Sequence, residues 1–127
     1  MRRETLSLPT DLDQEQFLYL TTRGRKSGRP RQIEIWFTHR KLDSEQDDAR
    51  FYIIAEYETS QWVGNIRHNS AVEVRVSNHT FPATARIISP KTEGALHHGV
   101  QELSRKKYGW GEGLVVELIP NMTQPEP

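Results

Sequence analysis

Between Thr21 and Phe37 the chain reads TTRGRKSGRPRQIEIWF, and five of the nine residues from Arg23 to Arg31 are cations with no acid among them. Arginine offers planar, two-pronged donors and lysine a compact point charge, so the pair suits phosphate or carboxylate oxygens. Ser27 adds a hydroxyl, and the glycines and the proline shape a turn that can present backbone N–H groups. Like charges repel when no anion lies between them, which argues for a ligand; a solvated, solubilising turn is the other reading. The cluster is too short, in a chain of zero net charge, for a general nucleic-acid surface. Neither a GxxxxGK[ST] loop nor a GxGxxG fingerprint after a strand is present, so nucleotide sites of those types are not expected.

Other groups that could do chemistry are less well placed. His97 and His98 are adjacent, and on a helix they point about 100° apart, which makes no two-histidine metal face. His39, His68 and His79 have no ligand spacing with acids. Asp43, Glu45, Asp47 and Asp48 lack the glycine and closing glutamate of a calcium loop, so a solvated acidic loop is expected. Ser104 has no GxSxG elbow around it. With no cysteine in the chain, thiol catalysis, disulfides and thiolate metal sites are excluded, and a reducing, cytoplasmic location is expected.

The elements that must hold the basic turn follow from periodicity. The chain has 127 residues, enough for one core. Domain limits are expected at an N-terminal arm over 1–16, one barrel domain over 17–120 and a tail over 121–127. The start MRRETLSLPTDLDQEQ has no apolar core, so no signal peptide is expected, and no apolar run approaches a bilayer span. Asp11 to Gln16 suggests a short acidic helical turn. Phe17 to Thr22 is β-branched and aromatic and reads as a strand, GRKSGRP as a hairpin connection, and Arg31 to His39 as one alternating strand with Ile33, Ile35 and Phe37 on one face. Trp36 interrupts the polar face. Lys41 to Ala49 reads as a polar loop and Arg50 to Tyr57 as a third strand.

Ser60 to Asn69 reads as a short helix capped by Thr59 or Ser60, with Trp62 and Ile66 on one face. Ala71 to Ser77 alternates as a strand, and another follows a turn at Asn78, where Pro82 suggests a sheet edge or a bulge. Lys91 to Lys107 reads as a second helix weakened by Gly94 and Gly99, and Gly113 to Pro120 as a last strand. Six strands with short connections and two helices predict a mainly β fold, a closed or partly closed antiparallel barrel.

These residues resemble the deazaflavin-dependent nitroreductase family, a branch of the flavin/deazaflavin oxidoreductases. The pattern there is a strand ending in T-T, then G-R-K-S/T-G-x-P-R, then an alternating strand. YIIAEYETSQWVGNIRHNSAVEVRV is similar to the family's strand, loop, W-x-x-N-[LI] and N-P-x-V-x-V, and FPATARII and VVELIP also fit. The resemblance covers roughly residues 17 to 120. It implies a six-stranded split β-barrel of the FMN-binding, pyridoxamine-phosphate-oxidase-like type. The implied activity is hydride transfer from reduced coenzyme F420 to a quinone-like or nitroaromatic acceptor.

By the same resemblance Arg25, Lys26, Ser27 and Arg31 would hold the cofactor phosphate, with Arg23 and Arg29 as looser candidates. The tricyclic ring would lie near Ile35 and Trp36 and near Ala55, Glu56 and Tyr57, with backbone N–H groups on its pyrimidine edge, and Trp62 and Asn65 would shape the ring pocket. Tyr108, with Trp110, would lie over the acceptor, and Tyr108 or Ser60 could donate the proton. The chain departs from the pattern at EYETS, where a glycine pair and a lysine are usual, and at Ser70, where proline is usual. Glu56 and Glu58 there keep FMN as an alternative cofactor. A non-catalytic cofactor or ligand carrier on the same barrel is the alternative outside enzymes, and a homodimer is plausible from the resemblance.

Overall fold

The computed structural model describes residues 12–41 and 49–121. The expected arm over the first ten residues, the acidic run Asp43 to Asp48 and the tail beyond Asn121 lie outside the described residues. A 3-10 turn at Leu12–Gln14 leads into β1 (Phe17–Arg23). Then come β2 (Pro30–Trp36), β3 (Thr38–Lys41), β4 (Ala49–Ala55), α1 (Gln61–His68), β5 (Ala71–Val76), β6 (His79–Ile87), α2 (Gly94–Tyr108) and β7 (Leu114–Pro120). All pairings are antiparallel, in the order β2-β1-β5-β6-β7-β4-β3.

That order by itself demands curvature. β2 and β3 are the two edges of the seven-stranded sheet, yet only Phe37 separates them in sequence. A flat sheet would hold its outer strands about 28 Å apart, six spacings of roughly 4.7 Å. One residue cannot span that distance, so the sheet must curl until the end of β2 meets the start of β3. The single strand expected from Arg31 to His39 is therefore two strands, and seven replace the expected six. Alternation fails at the crossing, where Phe37 and Thr38 are both buried in succession. The end of α2 pins this corner. Lys107 Nζ donates to the Phe37 carbonyl at 3.1 Å. The Tyr108 hydroxyl accepts from the Phe37 N–H at 3.1 Å, and its proton lies between the carbonyls of Phe37 (2.7 Å) and Gln16 (2.8 Å).

The barrel interior is filled from alternate positions: Leu18 and Leu20 of β1, Val72, Val74 and Val76 of β5, Phe81 and Ala83 of β6, Phe51 of β4 and Leu118 of β7. β4 and β7 read as unbroken apolar runs for a different reason. Their second face, with Tyr52, Ile54 and Val115, packs under Ile88, just past β6, and under Leu96 and Val100 of α2. Glu117 is buried on this face, where it accepts from the Tyr52 hydroxyl at 3.0 Å and from Arg86 Nε at 2.9 Å. A buried carboxylate is tolerated only with such partners.

Several expected boundaries shift. β4 ends at Ala55, two residues before the expected Tyr57. α2 begins at Gly94 and not at Lys91, so that glycine opens the helix instead of weakening its interior. Ser60 sits at the N-cap of α1 but makes no side-chain capping bond. Pro82 lies in an interior strand with unbroken register, neither at an edge nor at a bulge. The ladder accommodates it because β7 ends one position earlier, at Pro120 opposite Ala83, and the Pro82 carbonyl accepts from the Asn121 N–H at 3.0 Å. The donor that proline lacks would point where the neighbouring strand stops.

Candidate functional site

The β1–β2 hairpin carries the basic turn. It closes through the Gly24 N–H to the Arg29 carbonyl (2.8 Å) and the Gly28 N–H to the Gly24 carbonyl (2.7 Å), with Gly28 at a φ of 74° that favours glycine. The Ser27 hydroxyl oxygen accepts the Arg29 N–H at 3.1 Å, which leaves its own proton free to donate to an anion.

The turn is anchored by α1. Asn65 is buried, and its Oδ1 accepts both the Arg25 N–H (3.1 Å) and Arg25 Nη1 (2.9 Å), while its Nδ2 donates to Thr22 Oγ1 (3.1 Å). Arg25 Nη1 also reaches the Gln61 carbonyl at 3.2 Å. The guanidinium lies flat against Gly64, where a Cβ would stand 3.0 to 3.3 Å from its atoms. Only glycine leaves that space without pushing Arg25 away. Between turn and helix opens a cavity of about 410 Å³, with Arg25, Lys26, Ser27 and Arg31 on one side and Gln61, Trp62 and Asn65 on the other. Among the described residues no carboxylate pairs with any of the five cations of the turn. Their charge is therefore unmatched, and an anion in the cavity would meet charge-assisted donors.

A second cavity of about 650 Å³ lies across Trp62, which lines both. Its aromatic walls are Phe17, Trp36, Tyr57, Trp62 and Trp110, with Ile54, Ala55 and Ser60 between them. Phe17, Trp36 and Tyr57 are the large apolar side chains left exposed among the described residues, at 40%, 41% and 64%, and all three face this one cavity. Trp36 is held by Tyr108, whose ring is parallel to it (4.4 Å between centroids, 3° between planes), and Trp110 meets its edge. The cavity is large enough for a flat polycyclic ring.

β2, an edge strand, supplies polar atoms. The Gly24–Arg29 bond fixes the alternation of the ladder with β1, because directly opposed pairs are bonded at every second position. Thr22–Arg31, Leu20–Ile33 and Leu18–Ile35 are then the bonded pairs, and the main-chain N–H groups of Gln32, Glu34 and Trp36 face the open edge.

The structure thus gathers Arg25, Lys26, Ser27 and Arg31 at one cavity and Ile35, Trp36, Ala55, Glu56, Tyr57, Ser60 and Trp62 at the other. Three details differ from expectation. Asn65 does not border the aromatic cavity; it holds the basic turn from below. The outward main-chain donor is that of Trp36 and not that of Ile35. Tyr108 stands behind Trp36 with its hydroxyl engaged at the Phe37 corner, against a crevice of only about 10 Å³. Burial raises its pKa, which disfavours the phenolate that donation of its proton would leave. Arg23 and Arg29 are outside the cavity, and Arg23 Nη1 turns back to the Gly28 carbonyl at 3.3 Å. Sequence reasoning missed Gly64, Phe17 and Glu34. Gly64 beside Asn65 on a predicted helix was the available signal for the first; β1–β2 register alone brings Phe17 opposite Trp36.

Known structures share this architecture. An F420-H2 dependent reductase, FDR-A, aligns with a TM-score of 0.58 and 19% identity over 82% of this chain and 93% of that one. A Listeria innocua protein assigned to the pyridoxamine 5′-phosphate oxidases gives 0.65 and 17%, covering 89% and 90%. HutZ, the heme storage protein of Vibrio cholerae, gives 0.66 and 15%, covering 90% and 87%. At such identities these likenesses establish the fold alone, the split β-barrel. No curated protein matches the sequence. Family-level similarity is decisive, since the F420H(2)-dependent quinone reductase model matches residues 1–110, most of the chain, and the protein belongs to that family of oxidoreductases.

Proposed function

We propose that the protein transfers a hydride from reduced coenzyme F420 to a flat, electron-poor acceptor of the quinone or nitroaromatic type. One observation carries this reading: a basic cavity and an aromatic cavity adjoin at Trp62, with the charge of the first unmatched. The cofactor, when bound, supplies the hydride chemistry, and the protein binds, orients and excludes water. Arg31 and Lys26 would meet the phosphodiester as mobile cations. Arg25, already fixed by Asn65 and Gln61, would present its remaining donors, and Ser27 its hydroxyl proton. Trp36 and Trp62 would flank the ring, and the Trp36 and Glu34 N–H groups on the open edge would meet its polar rim. Such fixed donors favour the electron-rich form of a ring whose charge changes during reaction. Ser60, whose hydroxyl makes no capping bond, is the better proton donor of the two expected, and Tyr108 is a positioning residue through Trp36.

The family and the number of cations favour F420, with its phosphodiester and acidic tail, over FMN with one terminal phosphate. The test is a tryptophan-fluorescence titration of the apo protein with F420 and with FMN. All three tryptophans of the chain line the aromatic cavity, so quenching reports that cavity. Saturable quenching by F420 at micromolar levels is expected, followed by oxidation of reduced F420 on adding a quinone. Quenching by FMN alone would move the protein to flavin chemistry; binding of F420 without turnover on any acceptor would make it a carrier.

A further inference from the structure

The two cavities that meet at Trp62 carry opposite charge. Among the described residues the basic one is lined by Arg25, Lys26 and Arg31 and by no carboxylate, and the aromatic one by Glu34 and Glu56 and by no cation. Glu34 keeps its place by accepting the Tyr19 hydroxyl at 2.7 Å. Arg75, opposite Tyr19 on β5, stands over the Tyr19 ring at 4.2 Å and does not line the cavity. Glu56 has no ion-pair partner among the described residues; the neighbouring Glu58 turns away to Arg67 at 3.6 Å. Two carboxylates beside five aromatic rings make a site that lowers the energy of a cation twice over, by charge and by the negative ring faces. They raise the energy of an anion by the same charge.

We infer that the acceptor cavity selects flat aromatic compounds that carry positive charge on or beside the ring, and discriminates against anionic ones. This rests on the aromatic cavity, which the proposed function gives to the cofactor ring, also admitting the acceptor beside that ring. It goes beyond the reading above by assigning Glu34 and Glu56 as specificity-determining residues. The same charge division would orient the cofactor, its acidic tail drawn to the turn and repelled from the acceptor side.

The experiment uses apo protein and a matched anthraquinone series bearing a quaternary ammonium, a hydroxymethyl or a sulfonate group, with Kd read by tryptophan quenching. The ammonium compound is expected to bind about tenfold more tightly than the neutral one and the sulfonate about tenfold more weakly, the scale of one partly screened charge contact near 5 Å. In Glu34→Gln/Glu56→Gln the three values should close to within about threefold, while Glu58→Gln keeps the wild-type spread. Both positions are exposed, so the double variant should fold, and its Tm checks that. Arg31→Ala weakens the competing route by which a sulfonate binds at the turn, and the order should persist in it. Equal Kd values in the wild type, a sulfonate that binds most tightly in Arg31→Ala, an unchanged spread in the double variant, or no binding of any member would each overturn the inference. None of these readouts uses F420, so failure here is separate from failure of the proposed activity, which the cofactor titration decides.

Discussion

Asn65 offers the sharpest test of how the basic turn is held, because two substitutions there separate folding from anion binding. Its side chain makes three bonds, to the Arg25 N–H, to Arg25 Nη1 and to Thr22 Oγ1. Asn65→Ala removes all three. Two bonds between neutral groups at about 1 kcal/mol each, and one to a charged group discounted for exposure to a similar value, total about 3 kcal/mol. With a urea dependence of about 1.5 kcal/mol/M, the unfolding midpoint should fall by roughly 2 M. Affinity for F420 should fall with it, since Arg25 and the turn lose their anchor. Asn65→Asp is nearly isosteric. A carboxylate oxygen can accept both Arg25 donors, and the Thr22 hydroxyl can donate to the other oxygen, so the midpoint should stay within about 0.5 M of wild type. Yet the new negative charge borders the phosphate cavity, and F420 affinity should fall at least tenfold, the scale of one partly screened charge contact. The assays are urea denaturation followed by far-ultraviolet circular dichroism and the tryptophan titration. Wild-type affinity in Asn65→Asp would refute the assignment of this cavity to an anion; wild-type stability in Asn65→Ala would refute Asn65 as the anchor.

Other outcomes follow from the same geometry. Lys26 and Arg31 form no ion pair with a described acid, so Lys26→Ala/Arg31→Ala should leave the urea midpoint unchanged and weaken F420 binding by about 3 kcal/mol, with a shallower dependence of Kd on salt. Gly64→Val puts branched atoms where a Cβ already crowds the Arg25 guanidinium; F420 affinity should drop at least tenfold, on the scale of about 1.4 kcal/mol, and the displaced Arg25 Nη1 bond to Asn65 should lower stability by about 1 kcal/mol. Tyr52 has its pKa pushed up to about 12, chiefly by burial and then by its bond to Glu117. A raised pKa means the stabilisation is whole below the unfolded value near 10 and disappears as pH climbs to 12. Unfolding free energy should therefore drop by about 1.4 kcal/mol per pH unit across that window, and Tyr52→Phe should flatten the slope. Tyr108→Phe keeps the stack on Trp36 but strips the Phe37 corner of its hydroxyl; a loss of about 1 to 3 kcal/mol in stability is expected by urea denaturation.

Much of this protein was legible in one dimension because the relevant signals are local. The clean alternation of Ala71 to Val76 needs only a sheet with one wet face, and β5 is such a strand. The basic turn is legible because five cations without an acid stand out from a chain of zero net charge, and glycine and proline mark a hairpin. The continuous apolar runs of β4 and β7 announce burial on both faces without saying what covers them; α2 does. What was not legible depends on closure. Alternation from Arg31 to His39 runs through Phe37 as though the strand continued, because a side-chain period of two carries no information about which neighbour a strand pairs with. Only the curled sheet makes Phe37 a crossing between opposite edges. Gly64 reads as a helix residue of no particular kind, and Asn65, by resemblance, as a wall of the ring pocket, until α1 is laid against the hairpin 40 residues earlier in sequence, where Asn65 becomes an acceptor for Arg25 and Gly64 the gap it fills. Residue types and spacing determined that five cations would crowd one hairpin turn, where an anion is the proposed occupant. Only tertiary structure decided that this turn and an acidic, aromatic cavity would share Trp62, since the distance between charges set far apart in the chain is a property of packing.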